Sequence, residues 1–236
     1  MNNSPDRRRR RAIEFAALFL TIAIVVSLWI HLGRIAKDAA EVSHCRSNLF
    51  ELNHALANYH VANGSFPPAY IADAHGKRLH SWRILILPYF NTSETQQLYD
   101  QYDFTEPWNG PHNSKLATSD VSRLFRCPSA VLSNPHGANY FAVTAPGTVW
   151  PGPKSSRVSD AHNSDSTTIQ LVEVTDSGIH WMEPRDLTLN EALAARKAGV
   201  RRCISSEHDA GPNFVRVNKS LGHFDGNPTK SQFLLK

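Results

Sequence analysis

Cysteine is scarce in this 236-residue chain: Cys45, Cys127 and Cys203 are its whole complement. No C-x-x-C occurs, which excludes a zinc ribbon and a thioredoxin-type redox motif. A G-x-G-x-x-G, a Walker loop and a G-x-S-x-G elbow are also missing, so no dinucleotide, nucleotide-phosphate or α/β-hydrolase fingerprint is present. Histidine is plentiful, at 12 residues, but neither H-E-x-x-H nor H-x-H appears. His54 and His60 lie six positions apart, about 240° around a helix, so they do not share a face; solvated histidines are the expectation. Repeats and low-complexity segments are absent. The charge surplus is small, 25 Lys and Arg against 21 Asp and Glu, for a net +4. Arg7 to Arg11 alone exceed that surplus, so the rest of the chain is close to neutral. No basic stripe with interleaved aromatics remains to bind nucleic acid.

What is present in quantity is one apolar run, Ala12 to Leu32, directly behind those arginines. A helix needs about twenty apolar residues to cross a ~30 Å hydrocarbon layer, and basic flanks stay on the cytoplasmic side. The spacing therefore predicts a cytoplasmic basic tail (1–11), a transmembrane helix (12–33) and an extracytoplasmic domain (34–236) of a single-pass protein in the cytoplasmic membrane, N-terminus inside. A cleaved signal peptide is the rival; its apolar core is shorter and ends at a small-residue site, whereas this run continues into Trp29, His31 and Arg34. Glu14 interrupts it near the inner end, either pairing locally with Arg10 and Arg11 or reaching a partner inside the membrane.

Beyond the membrane, Val42, Cys45, Leu49, Leu52, Leu56 and Tyr59 repeat at three-and-four spacing, one stripe of an amphipathic helix. Gly64 and Pro67-Pro68 end it. One long helix from about residue 12 to about 62 is expected, with Leu49, Leu52, Leu56 and Tyr59 inward and Arg46, Asn53 and His60 outward. Asp73 to Gly76 reads as a turn. Ser81 to Phe90 reads as a buried strand or a short helix. Ser93 with Gln96 resembles a capping box for a helix over Glu94 to Tyr102, and Thr188 with Glu191 makes another. Asn139 to Thr144, Thr167 to Val174 and Asn213 to Val217 read as strands. Helix first, then mixed strands with long loops, is an α+β fold: a long N-terminal helix packed on a mainly antiparallel sheet.

Candidate chemistry is thin. Asp160, Asp165 and Asp176 offer the oxygen ligands calcium takes, without the tight D-x-D-x-D-G spacing; no cofactor is expected. Trp108, Trp150 and Trp181 each stand beside Pro, Gly, Asn or a loop. They either plug the core beneath the loops or form a binding surface, for which Trp is well suited. With Glu183 and Arg185, in the loop Gly178 to Leu187, they are the candidate partner-binding residues, together with Glu14. In an oxidising compartment two of the three cysteines can close a disulfide.

Several segments resemble a large pilin-like family of unknown function that is expanded in planctomycete bacteria. CRSNLFELNHALANYHVANGSFPPAY (Cys45 to Tyr70) resembles the family's C-x-N-N-L-K-Q-I-x-x-A-x-x-N-Y-H-x-x-x-G-x-F-P-P. SWRILILPYF, LYDQYDFTEPWNGPHN, FRCPS, NYFAVTAPGTVWPG and LVEVTDSGIHWMEPRDL follow in the family's order. Glu14 stands where the prepilin glutamate falls. The family's Gly and Phe-like residue ahead of it are replaced by Arg9 and Arg10, so leader cleavage is not expected. The C-terminal H-x9-D-G signature is degenerate: counting from His208, it ends on Asn218-Lys219, and G-G-x-N appears as AGPN (Ala210 to Asn213). The resemblance implies a pilin-like spine, a Cys45–Cys127 disulfide, and neighbours that are pilin-like subunits or envelope components. The role expected is non-enzymatic, a pseudopilin-like or envelope-surface interaction protein. The alternative is a membrane-anchored ligand- or carbohydrate-binding domain, or less favourably a hydrolase.

Overall fold

The computed structural model describes residues 5–130, 132–157, 167–194, 203–208 and 211–235. The chain divides into two units, Met1–Glu41 and Val42–Lys236. Helix α1 runs over Pro5–Asn63. Proline suits the first turn because its missing N–H would have no partner there. Over Ala12 to Leu32 the side chains are exposed, Phe19 and Trp29 at 74% and 80% among them. Apart from Glu14, the surface of this stretch is apolar nearly all round, as expected of a helix that meets lipid. Among the described residues this is the one helix long and apolar enough to cross a membrane. Glu14 is exposed on it.

In the second unit α1 becomes one-sided. Cys45, Leu49, Leu52 and Leu56 are fully buried, the stripe expected from the spacing. Asn53 corrects the sequence reading: it is buried, not outward. It follows Leu49 by one helical turn, and its amide donates to the side chain of Gln170 and to the Arg216 carbonyl. Arg46 is exposed and His60 half-buried. The helix ends where Gly64 takes a left-handed φ of 72° and its N–H closes on the His60 carbonyl at 2.8 Å, a glycine-favoured stop.

A hairpin follows, β1 (Tyr70–Ala72) against β2 (Arg78–Ser81), antiparallel. Ser81 ends the strand and caps α2 (Trp82–Leu85), accepting from the Arg83 N–H. The apolar run from Ser81 is therefore helix at its start, and a 3-10 turn, Leu87–Phe90, completes it. Helix α3 (Ser93–Gln101) begins one residue earlier than expected, because the Thr92 hydroxyl accepts the Thr95 N–H. Two 3-10 turns, Asn113–Thr118 and Asp120–Phe125, lead toward Cys127.

The main sheet has five strands: β3 (Tyr140–Thr144), β4 (Ile169–Glu173), β5 (Leu187–Thr188), β6 (Asn213–Arg216) and β7 (Leu221–His223). Their spatial order is β5-β3-β4-β6-β7. All neighbours are antiparallel except the short β3–β5 pair. Central β4 is buried at every residue, hence its β-branched, near-continuous apolar sequence. Helix α4 (Leu189–Leu193) opens on the Thr188–Glu191 capping box. Cys45 and Cys127 are joined in a disulfide with Cα atoms 5.1 Å apart across 82 positions. Closing so long a loop restricts the unfolded chain by ~4 kcal/mol in the chain-entropy model. The fold is thus α+β.

Candidate functional site

Buried charge concentrates at two places. The first is built where α2 meets β3. Arg83 and Asp186 are both fully buried, and Arg83 Nη2 donates to Asp186 Oδ1 at 2.8 Å. Asp186 also accepts from the Ala142 N–H at 2.9 Å and from Trp82 Nε1 at 3.1 Å. Arg83 donates to the Tyr140 carbonyl at 3.0 Å and to Ser81 Oγ at 3.2 Å. Burial pushes the Asp186 carboxyl up, while Arg83 and these donors hold it down. These added bonds help a buried pair to offset desolvation; among the described residues Arg83 Nε alone of this pair is left without a partner.

The second place is the end of β4. Glu173 is buried there, and its Oε2 accepts from the Asn213 backbone N–H at 3.0 Å and side chain at 2.8 Å. Its Oε1 faces His208 Nε2 at 3.5 Å. The same ring nitrogen lies 3.3 Å from Cys127 Sγ and 3.4 Å from Ser129 Oγ. Burial raises the Glu173 carboxyl, opposed by the Asn213 N–H and by His208. A cleft of about 270 Å³ opens onto this cluster, lined by Ser205, Ser206, His208, Gly211 and Phe224. Gly211 is required: its φ is 88°, and a Cβ there would lie 2.5 Å from the Phe224 carbonyl oxygen. Ser129 Oγ lies 3.5 Å from Nδ1 and 3.4 Å from Nε2 of His208, not aligned on the one nitrogen opposite the carboxylate as in a serine relay.

The residues singled out by sequence are placed differently. Trp150 and Trp181 are buried, not surface groups. Each indole N–H finds a carbonyl inside, Trp150 on Gln170 at 2.8 Å and Trp181 on Ala117 at 3.0 Å. Trp181 stacks on Phe125 with centroids 5.4 Å apart. They plug the core under the loops because a large apolar ring with one satisfied donor is stable there. Trp108 is half-buried and packs against His180 at 5.0 Å. Glu183 accepts from the His180 backbone N–H, so Trp108, Trp181 and Glu183 gather around His180. Arg185 turns to Glu191 at 3.8 Å. Burial first, then His136 and Arg83, lower His180 to about 4. Asp160 and Asp165 lie outside the described residues; the Asp176 carboxylate accepts from Ser133. Cys203 is a buried thiol outside the disulfide.

Sequence reasoning missed Glu173. Its signal was an acidic side chain inside TTIQLVEV, a strand otherwise reading as buried. His208 was visible only as the first residue of a degenerate signature.

Fold and sites together describe an α+β domain behind a long apolar N-terminal helix. Residues 34–204 match the family described as "Protein of unknown function (DUF1559)", and the chain belongs to it. No curated protein and no solved structure matches.

Proposed function

We propose that this protein is a single-pass, pseudopilin-like component of the cell envelope, non-enzymatic, with its N-terminus inside and its domain outside the cytoplasmic membrane. The observation that carries this reading is the two-part character of α1. Its first part is apolar all round; from Cys45 the same helix buries one stripe and leaves another face open. Ser43, Ser47, Phe50 and His54 share that open face, at the spacing of one helical flank, and Phe50 is 46% exposed. An exposed aromatic on a helix flank suits docking to a neighbouring pilin-like subunit or envelope component. Arg7 to Arg11 support the inward orientation.

Site-specific photo-crosslinking at Ser47 and Phe50 in native membranes tests the docking face, with Leu52 as the buried control. Adducts at the first two positions and none at the third are expected. Adducts at none of them overturn the docking role. Protease digestion of intact spheroplasts tests the topology, and mass spectrometry of the mature N-terminus separates anchor from processed subunit; a chain beginning at Arg10 with a methylated amine would refute retention. A second reading, a membrane-anchored ligand-binding domain, draws on the polar cleft beside His208. It predicts that substitutions around that cleft, and none on the α1 flank, abolish function in cells.

A further inference from the structure

We propose that Cys45, Cys127, Glu173 and His208 form a redox-gated site for a zinc-type divalent cation, occupied when the two cysteines are reduced and abolished when they close as a disulfide. The donor set is two sulfurs, an imidazole and a carboxylate, all buried, with one ligand atom from each within 4.8 Å of the others. Four such donors are the complement of a tetrahedral zinc site, with bonds of about 2.3 Å to sulfur and about 2.0–2.2 Å to nitrogen and oxygen. Those bond lengths place neighbouring ligand atoms roughly 3.3–3.8 Å apart. Cys127 Sγ to His208 Nε2 is 3.3 Å, and His208 Nε2 to Glu173 Oε1 is 3.5 Å. The bonded sulfurs sit closer than a metal requires. With Cα atoms 5.1 Å apart, rotation about the two Cα–Cβ bonds separates them.

The surroundings suit a metal centre. Asn213 holds Oε2 of Glu173 from two donors, which aims Oε1 at the cluster, as outer-shell groups do for metal-bound carboxylates. The Glu173–His208 separation exceeds the roughly 2.7–2.9 Å of a tight charge-assisted bond, so a cation entering there displaces no strong interaction. The cleft at His208 provides an entry path. Reduction by a dithiol transfers two electrons and two protons: the S–S bond breaks, two thiols form, and the dithiol closes to its own disulfide. Metal binding then releases the two thiol protons.

The test uses the full chain in detergent, carrying Cys203→Ser so that two cysteines remain. The protein is reduced with a dithiol, desalted anaerobically and titrated with cobalt(II) alone. One cobalt per chain with a sulfur-to-cobalt charge-transfer band, displaced by zinc and absent from the oxidised protein, is expected. His208→Gln and Glu173→Gln should each weaken binding at least tenfold, and Asn213→Ala, acting through Glu173, by about 10–100-fold with the band retained. Circular dichroism checks each variant's folding; where His208→Gln unfolds, Glu173→Gln and Asn213→Ala decide. The proposal is overturned by a reduced chain that shows no band, by oxidised protein that binds equally, or by unchanged affinity in the Glu173 and Asn213 variants. A reduced chain whose native dichroism cobalt does not restore overturns it as well.

Discussion

The two buried carboxylate pairs, Arg83–Asp186 and Glu173–His208, are made of similar chemistry and live differently. Around Arg83–Asp186 the Trp82 indole, the Ala142 N–H and the Tyr140 carbonyl are aimed at one short contact. Around Glu173–His208 the contact is long, one carboxylate oxygen is bound firmly and the other is left facing an imidazole and a sulfur. A short, multiply bonded pair is a cross-brace, and losing one partner strands a charge in a medium that cannot solvate it. An incompletely matched pair beside a cleft keeps freedom to change partners. The difference teaches that burial by itself does not distinguish scaffold from site; the length of the contact and the partners of each carboxylate oxygen do.

Breaking the contrast is straightforward. Asp186→Ala should cost ~3–5 kcal/mol, because Arg83 remains buried and uncompensated. Glu173→Gln should cost less, ~1–3 kcal/mol, since the amide oxygen can still accept from Asn213. Chemical denaturation of both variants measures this, and equal losses would erase the distinction between brace and site.

An apolar yardstick lies between them. Leu52→Ala should cost ~2–5 kcal/mol through burial lost and a cavity left. Asn53→Ala, next to it, should cost ~1–3 kcal/mol by orphaning its buried partners. Thermal melts rank the two; a neutral Asn53→Ala would mean that its bonds to Gln170 and Arg216 contribute nothing net.

The braced region also carries a pH signature. His180 falls from an ordinary 6.5 to about 4 in the fold. Between those values the unfolded chain binds the proton and the folded chain does not, so stability is lost as pH falls from about 6.5 toward 4. His180→Gln should flatten that slope. Glu173 and Asp186, raised by burial, act with the opposite sign, losing stability as pH rises through the carboxylate range. Denaturation midpoints from pH 4 to 7 for both proteins check the direction.

The smallest effect concerns the β6–β7 turn, next to the second pair's strand. Lys219 sits at φ 68°, where a side chain is strained. Lys219→Gly should stabilise by ~1 kcal/mol, seen as a rise in Tm. A fall would mean that the lysine side chain contributes more than its backbone strain costs.

Much of the fold was legible. The stripe from Cys45 to Tyr59, the Gly64 stop, the Thr188–Glu191 box and the β-branched run before Glu173 are local patterns with local causes. Asn53 was misread because a polar residue at the margin of a stripe is placed by what packs across from it. Trp150 and Trp181 stayed open between core plug and binding surface because loop composition does not reveal which way an indole turns. The Glu173–His208 pairing was invisible, since 35 positions, with β5 and α4 among them, separate its members.

By itself the sequence determined the long helix, its change from apolar all round to one-sided, the strand-bearing α+β body and the basic tail. These follow from periodicity and composition, which act within a few residues. Only the tertiary structure decided the strand order, the burial of the tryptophans, the pairing of Arg83 with Asp186, and the gathering of Cys45, Cys127, Glu173 and His208. Each of these depends on groups far apart in the chain meeting where water is excluded, and there distance and unsatisfied polar atoms, rather than residue type, set the energy.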